Sequence, residues 1–510
     1  MKKIISYDFG TGGIKASLYT SDGEAEASAF VAYSTEYPHM GWHEQRPDDW
    51  WKAFCLSTGR LMAESAVKKN DIECLAISGH SLGVVPLDKN GCLLRRTVPI
   101  WSDGRAKAEA DAFFRTHDYT QWYYETGNGF PAHLYSAFKL MWYRNHEPEM
   151  FSKIHMILGT KDYINYLLTG SYATDQSYAS GSGFYNLTAG EYDLNLMRQM
   201  DLPSDIFPKI VPSTAIIGTV SEKAAEQTGL SSDVKVICGG VDNACMALGS
   251  RGIKDGRAYT SLGSSAWIAI TGSKPILSAD SYPYVFAHVI PGMYASALAS
   301  FSAGSSFQWV CDQICKNLKS DPDANPFTLM DQLAASSPAG SHKLLFNPSL
   351  AGGSGSDKTP NIRGAYIGLD LKHTQADLIR SAMEGIALSL RSALECLRSI
   401  SSVSNEMLFV GGGANSRLWL QIFANIYGMD IFKTNVGQNA GSLGAAAVAA
   451  VGCGMWKDFT PIDEIHQKEY ILYPEYKEQA VYNKLYAFYL EMNEHLYQLS
   501  DKLHGLEIEE

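Results

Sequence analysis

A strand, a turn of glycine and hydroxyl residues, and a second strand occur twice in this chain, and that repetition constrains the fold more than any other feature. The first copy runs from Lys3–Tyr7 through Asp8-Phe9-Gly10-Thr11-Gly12-Gly13 into Ile14–Tyr19, short β-type runs punctuated by turn residues. The second is a hairpin over Arg257–Gly272 with Leu262-Gly263-Ser264-Ser265 at its turn. Gly10-Thr11-Gly12-Gly13-Ile14 corresponds to Gly263-Ser264-Ser265-Ala266-Trp267, so one architecture is used twice. The 510 residues leave room for two such halves. No low-complexity linker separates them, and the duplicated hairpin alone sets the boundary, giving domains of residues 1–254 and 255–510.

Around each hairpin, helical and β-type patterns alternate. After the first come the turn Ser21-Asp22-Gly23-Glu24 and the run Ala25–Tyr33, which complete an antiparallel meander. Helical periodicity then spans Pro47 to Lys68, with Asp48 and Asp49 in the first turn, where carboxylates suit the positive end of the helix dipole. Strands follow near Glu73–Ser78, Val84–Leu87 and Val234–Cys238. In the second half an amphipathic helix from Thr374 to Ser399 precedes the strand Met407–Val410. Then come the glycines Gly411-Gly412-Gly413, a helix from Asn415, a strand at Ile431–Thr434 and an Ala-rich helix from Ala440. The fold class is α/β, built from two related domains.

Charge and cysteine usage narrow the partners. Lys+Arg number 42 and Asp+Glu 54, a net charge of −12, so neither a nucleic-acid backbone nor an anionic membrane is an attractive surface; a small molecule is the better partner. The 9 cysteines are odd in number and form no CxxC pair, which is the usage of a reducing cytoplasm. MKKIISYDFG meets Asp8 too soon for a signal-peptide core, and the apolar run Leu443–Val451 falls short of the ~18 residues that cross a bilayer. A cytoplasmic protein without a membrane span is expected, and the acidic end Glu507-Ile508-Glu509-Glu510 reads as a solvated tail.

Two Gly-hydroxyl turns offer what a nucleotide's phosphates need. Glycine lets backbone approach closely, successive N–H groups can point into one concavity that favours an anion, and Thr11, Ser264 and Ser265 add hydroxyls; read singly, each is also simply a turn. Asp8, at the end of the first strand, can hold Mg²⁺ directly or through water, or be a turn residue. Asp242 lies between an apolar strand and Asn243, in a segment without other charge from Val236 to Ser250. A desolvated carboxylate there can take a hydroxyl proton; as a plain structural residue it would cap the helix Asn243–Leu248. The chain holds no GxxxxGK[ST], no GxGxxG between strand and helix and no HExxH, which removes P-loop transfer, dinucleotide redox chemistry and zinc proteolysis.

These residues resemble the FGGY carbohydrate kinases of the actin/hexokinase/Hsp70 superfamily, and within them the xylulokinase-like members. The C-terminal signature is carried by Gly364-Ala365-Tyr366-Ile367-Gly368-Leu369 with Asp377-Leu378-Ile379-Arg380-Ser381-Ala382-Met383-Glu384. The N-terminal one is carried by Ser136-Ala137-Phe138-Lys139-Leu140-Met141-Trp142, with departures at Leu134 and Tyr143. Gly41-Trp42-His43-Glu44-Gln45, Trp101-Ser102-Asp103-Gly104-Arg105 and Thr126-Gly127-Asn128 are further landmarks. The resemblance implies two ribonuclease H-like domains with a cleft between them, ATP as donor, Mg²⁺ near Asp8, and Asp242 as catalytic base. It implies phosphate contacts from Thr11, Gly12, Gly13, Lys15, Gly263 and Ser264, and nucleotide contacts from Gly304, Gln308, Gly412, Gly413 and Asn415. The sugar candidates are His80, Ser81, Trp101, Asp103 and Asn243, beside Asp242, with Asp103 alternatively a helix cap and Trp101 alternatively a core residue. A homodimer is compatible with it.

The acceptor expected is the terminal hydroxyl of a ketopentose such as D-xylulose. Xylulokinases often carry Gly-Gln-Met-His-Gly where this chain has Gly79-His80-Ser81-Leu82-Gly83, an imidazole shifted by two positions. A shift of two keeps the face of a strand, so His80 either contacts the ligand from a neighbouring point or is structural. Another ketose, a polyol such as glycerol or erythritol, or a sugar acid is the alternative acceptor. From a different class, a non-catalytic ATP-binding switch protein would share the fold; the free carboxylate at Asp242 and the lack of a separate peptide-binding domain speak against it.

Overall fold

The computed structural model describes residues 2–320, 323–354 and 357–506; the acidic tail 507–510 lies outside them. The chain folds into two compact units. The first comprises Met1–Asp255, Thr271–Ser296 and Asn439–His466, the second Gly256–Ile270, Ala297–Gln438 and Gln467–Glu510. Beyond the crossing at residue 255, two later segments thus return to the first unit.

The first unit is organised on a six-stranded sheet in the order Ile216–Thr219, Lys235–Val241, Ile72–Gly79, Lys3–Gly10, Gly13–Thr20, Ala25–Ala32. The three strands Lys235–Val241, Ile72–Gly79 and Lys3–Gly10 run parallel; the flanking pairings are antiparallel. Ile4, Ile5, Tyr7 and Phe9 are all buried, the near-continuous apolar reading of a strand covered on both faces. Neighbouring residues show what covers it. The Tyr7 hydroxyl meets Thr58 Oγ1 at 2.8 Å, on the helix Pro47–Ser65. Ser6 Oγ meets Ser442 Oγ at 3.1 Å, on the helix Ala440–Gly452. Adjacent side chains of a strand point to opposite faces, so the two helices sandwich the sheet. Pro47 begins the first helix, with Asp48 and Asp49 in its first turn, and Trp50, Phe54 and Leu61 fill its buried face.

The second unit repeats the plan. Its sheet holds Arg257–Leu262, Glu406–Val410, Asp430–Thr434 and Lys468–Leu472 as successive neighbours, with the first three parallel and Lys468–Leu472 antiparallel at the edge. The helix expected from Thr374 begins at Gln375, because Thr374 is its cap: the Thr374 hydroxyl and amide both donate to the Asp377 carboxylate, at 2.8 Å each, in a capping box. The helix expected from Asn415 begins at Arg417, since the Ser416 hydroxyl accepts from the Trp419 N–H at 3.0 Å and Gly412–Asn415 form a tighter turn before it. Among the described residues, no helix is long and apolar enough to cross a membrane.

Candidate active site

In the first unit the carboxyl ends of the three parallel strands carry the acidic candidates. Asp8 lies opposite Ser78, Ser78 opposite Gly240, and Asp242 follows Val241 at the end of its strand. Ligands of open α/β sheets bind beyond these ends. Asp8 Oδ1 accepts from the Ser78 hydroxyl at 2.8 Å, and burial raises the Asp8 pKa above the usual carboxylate range against the pull of Ser78 and Lys15. Lys15 sits directly across the hairpin from Asp8 and donates to Asn439 Oδ1; burial lowers its pKa.

Asp242 is not a helix cap. Val241 occupies that position and Asp242 is the first helical residue of Asp242–Gly249, with Oδ1 accepting from the Asn243 N–H at 2.8 Å. Burial, and second to it the Asp8 charge, push its pKa up to about 7, while the residue keeps partial access to solvent. A carboxylate held near neutrality is matched to accepting a proton at physiological pH.

The placement of Asp242 is built from behind. The Val241 N–H donates to Ser177 Oγ at 2.9 Å, Ser177 and Ser213 donate to Asp175 Oδ2, and Lys161 Nζ lies 3.1 Å from Asp175 Oδ1, all of it buried. Beneath, the helices Asp242–Gly249 and Ala440–Gly452 approach so closely that a Cβ on Gly249 would lie 1.8 Å from the Ala440 oxygen, and one on Gly444 1.9 Å from the Cys245 oxygen.

The first Gly-hydroxyl turn is similarly braced. Gln45 Nε2 donates to the Thr11 carbonyl at 2.7 Å and Trp101 Nε1 to Thr11 Oγ1 at 2.9 Å. A Cβ on Gly13 would meet the Val31 oxygen at 2.6 Å, whereas Gly12 has open space. Gln45, Ser78, Asp175 and Ser177 were not singled out from sequence, although Gln45 lies in a landmark segment and Ser78 at the end of a strand that were named.

The sugar candidates separate. Trp101 and Asp242 keep partial exposure, while His80, Ser81, Asp103 and Asn243 are buried. The Asp103 carboxylate is engaged by Arg105 Nε at 2.8 Å, Arg105 Nη2 at 2.8 Å and the His43 N–H at 2.6 Å, an internal ion pair. Burial lowers the His80 pKa to about 4, leaving a neutral ring. Its Nδ1 is 3.1 Å from Thr160 Oγ1, and Trp50 lies edge-on with ring centroids 5.6 Å apart. These contacts give Asp103 and His80 structural partners.

In the second unit, Gly263, Ser264, Gly304, Gln308, Gly412, Gly413 and Asn415 line one cavity of about 690 Å³ together with Phe307, Phe327 and Trp419. Its mixture of aromatic wall and a few polar groups suits a small ligand. Another cavity of about 680 Å³ in the first unit, between Arg95 and Lys153, holds none of the site residues. The Gly304 N–H donates to the Gly263 oxygen at 3.0 Å and the Ser305 N–H to the Ser264 oxygen at 2.8 Å; a Cβ on Gly304 would lie 2.2 Å from the Gly263 oxygen. Gly411, at φ +93°, lets the chain pass the Leu262 carbonyl, which a Cβ would meet at 2.7 Å. For the nucleotide contact that the family resemblance implies at this turn, Gly304→Ala is expected to push Gly263-Ser264 aside and raise the KM for nucleotide about tenfold or more, read by initial rates at varied nucleotide; an unchanged KM counts against that role.

Among the described residues no cluster of three or more His, Cys, Asp or Glu side chains could hold a metal ion. One carboxylate plus substrate phosphates and water is how Mg²⁺ is usually held, and Asp8 fits: Ser78 engages Oδ1, while Oδ2 has no hydrogen-bond partner among the described residues.

Comparison with known proteins gives matches over both halves. Residues 3–249 match the N-terminal domain, and residues 258–453 the C-terminal domain, of the FGGY family of carbohydrate kinases. A xylulose kinase of Staphylococcus epidermidis is 30% identical over 497 residues, covering 95% of this chain and 96% of that protein. The crystal structure of a ligand-bound xylulose kinase from Lactobacillus acidophilus superposes with a TM-score of 0.90 at 27% identity, covering 99% of this chain and 100% of the other. A gluconate kinase from the same organism gives 0.90 at 27%, covering 98% and 99%.

Proposed function

This chain belongs to the FGGY family of carbohydrate kinases, and from that premise we propose that it transfers the γ-phosphoryl group of ATP to a terminal hydroxyl of D-xylulose or a closely related ketopentose, with Asp242 as general base. The protein is a sugar kinase with the two-domain actin/hexokinase-like α/β fold of its relatives, and the family implies ATP as donor. The observation that carries the mechanistic reading is Asp242 itself: a partly accessible carboxylate at a strand end, its pKa pushed up to about 7 by burial.

In this reading Asp242 accepts, or orients, the proton of the attacking hydroxyl. The turn at Thr11, Gly12 and Gly13, with Lys15, offers donors to the transferring phosphoryl group. Gly263, Ser264 and Gly304 do the same for the nucleotide, whose base lies in the cavity beside Gly412, Gly413 and Asn415. Such catalysis is mainly positioning and electrostatics. Mg²⁺ bound through Asp8 would supply neutralisation of phosphate charge.

A base must be ionised to act, so log kcat/KM is expected to fall with unit slope as pH drops below about 7. A profile flat from pH 8 to about 5 counts against Asp242 as the base.

The gluconate kinase superposes as well as the xylulose kinase, which favours a sugar acid as the second reading. ADP formation with D-xylulose, gluconate and glycerol as acceptors distinguishes them. D-xylulose is expected to lead by about tenfold or more in kcat/KM; a lead for gluconate replaces the acceptor and leaves the kinase intact.

A further inference from the structure

Cys74 and Cys453 are 379 residues apart in sequence, yet their sulfurs lie 3.0 Å from each other. Cys74 is buried near the start of the strand Ile72–Gly79; Cys453 follows the last turn of the helix Ala440–Gly452 and is half-buried. Both belong to the first unit. The site is fixed by backbone: Cys74 Sγ is 3.6 Å from the Ala449 oxygen and Cys453 Sγ 3.7 Å from the Ala450 oxygen. Cys74 lies opposite Lys235 on the adjacent strand, whose ammonium is 2.6 Å from Glu73 Oε1.

We propose that this pair is a reversible oxidation site, at which a peroxide converts the two thiols into a Cys74–Cys453 disulfide that ties the end of the helix Ala440–Gly452 to the first sheet. Nucleophilic sulfur is the thiolate. The Cys74 hydrogen bond, the Met455 amide and the Lys235 charge lower the Cys453 pKa against its burial, while Cys74 is shifted upward by its contact with Cys453 and by burial. The partly accessible Cys453 is the attacking group. Its thiolate attacks one peroxide oxygen, the O–O bond breaks, and the departing hydroxide takes a proton to leave as water, giving a sulfenic acid on Cys453. The Cys74 sulfur then attacks the Cys453 sulfur. The S–O bond breaks, the Cys74 proton leaves with the hydroxyl as a second water, and the S–S bond forms. Two thiols lose two electrons, and peroxide gains them. A dithiol reductant returns the pair by exchange. Cytoplasmic disulfides of mesophiles are usually transient bonds of this kind.

The bond closes at the end of the helix remote from Gly441, whose Cα approaches the Asp8 carboxylate closely enough that a Cβ would lie 3.1 Å from Oδ2. Its expected consequence is resistance to unfolding, because the cross-link restricts the unfolded chain. The test treats the full-length enzyme with hydrogen peroxide, blocks remaining thiols and maps peptides without reduction. Expected are a Cys74–Cys453 linked peptide, a mass lower by two hydrogen atoms, reversal by dithiothreitol, and a thermal midpoint raised by several degrees. Cys453→Ser and Cys453→Ala should each abolish all of these while keeping the reduced enzyme's turnover. Oxidation confined to the exposed Cys92, or Cys453 passing to sulfinic acid without a linked peptide, overturns the proposal. So does a midpoint shift that survives in both Cys453 variants.

Discussion

Asp242→Asn is expected to lower kcat for sugar phosphorylation by about a hundred- to ten-thousand-fold, the range general-base catalysis contributes, in a protein that is more stable than the wild type near pH 8. The two effects have one origin. Burial and the Asp8 charge disfavour the ionised carboxylate, so the folded pKa of about 7 stands well above the ordinary 3.8. For a carboxyl group raised in this direction, the folded state holds its proton longer than the unfolded state does. Stability is therefore unaffected below the unfolded value, decreases as pH climbs between the two, and carries the full penalty above about 7. Asparagine keeps the shape and removes the charge. Its stabilising effect should shrink steadily as pH is lowered toward 4, while activity stays lost throughout. Sugar-dependent ADP release and thermal unfolding across that range read both halves; turnover within a few-fold of wild type in folded protein removes Asp242 from the chemistry.

A large structural effect is expected at Gly444. Replacing it with alanine brings a methyl group to 1.9 Å from the Cys245 carbonyl, a distance only backbone movement can relieve. Overpacking of this kind costs about 1–3 kcal/mol and more where backbone resists. The helix it pushes is the one that begins at Asp242, so the loss of stability should come with a fall in kcat. Gly59→Ala is the control: it lies within the helix Pro47–Ser65 with nothing within 4 Å of its added Cβ, and should be neutral or stabilising by up to about 1 kcal/mol. Equal stability for Gly444→Ala and wild type contradicts the close crossing of the two helices.

How far residue patterns could reach is visible at individual positions. The repeated hairpin foretold the repeated sheet, because strand-turn-strand signals are local. The helix Gln375–Ile400 was announced by its amphipathic period, while the capping box of Thr374 and Asp377 that starts it was not singled out. Helix starts shifted by a residue or two: the helix expected from Asn415 begins at Arg417 behind the cap Ser416, and Asp242, whose plain structural alternative was a cap, is the first helical residue behind Val241. Both cases turn on backbone angles that composition does not encode. The enclosure of Asp103 and His80 was not legible, since it depends on Arg105, His43 and Thr160 converging in space. Nor was the return of Asn439–His466 to the first unit, because an apolar helix pattern says that a face is buried but not which sheet buries it. Ser177 and Asp175, which hold the residue before Asp242, carry no local signal that distinguishes them from ordinary turn residues.

That return has a consequence for how the protein is made. One face of the first sheet is covered by a helix that begins at Ala440, whereas the strands it covers are complete by Val241. A ribosome adding about 5–20 residues per second leaves that face without its native cover for roughly ten seconds or longer. Nascent chains halted anywhere in this interval should bind a hydrophobic-patch chaperone, and release should coincide with emergence of the Ala-rich segment from the exit tunnel.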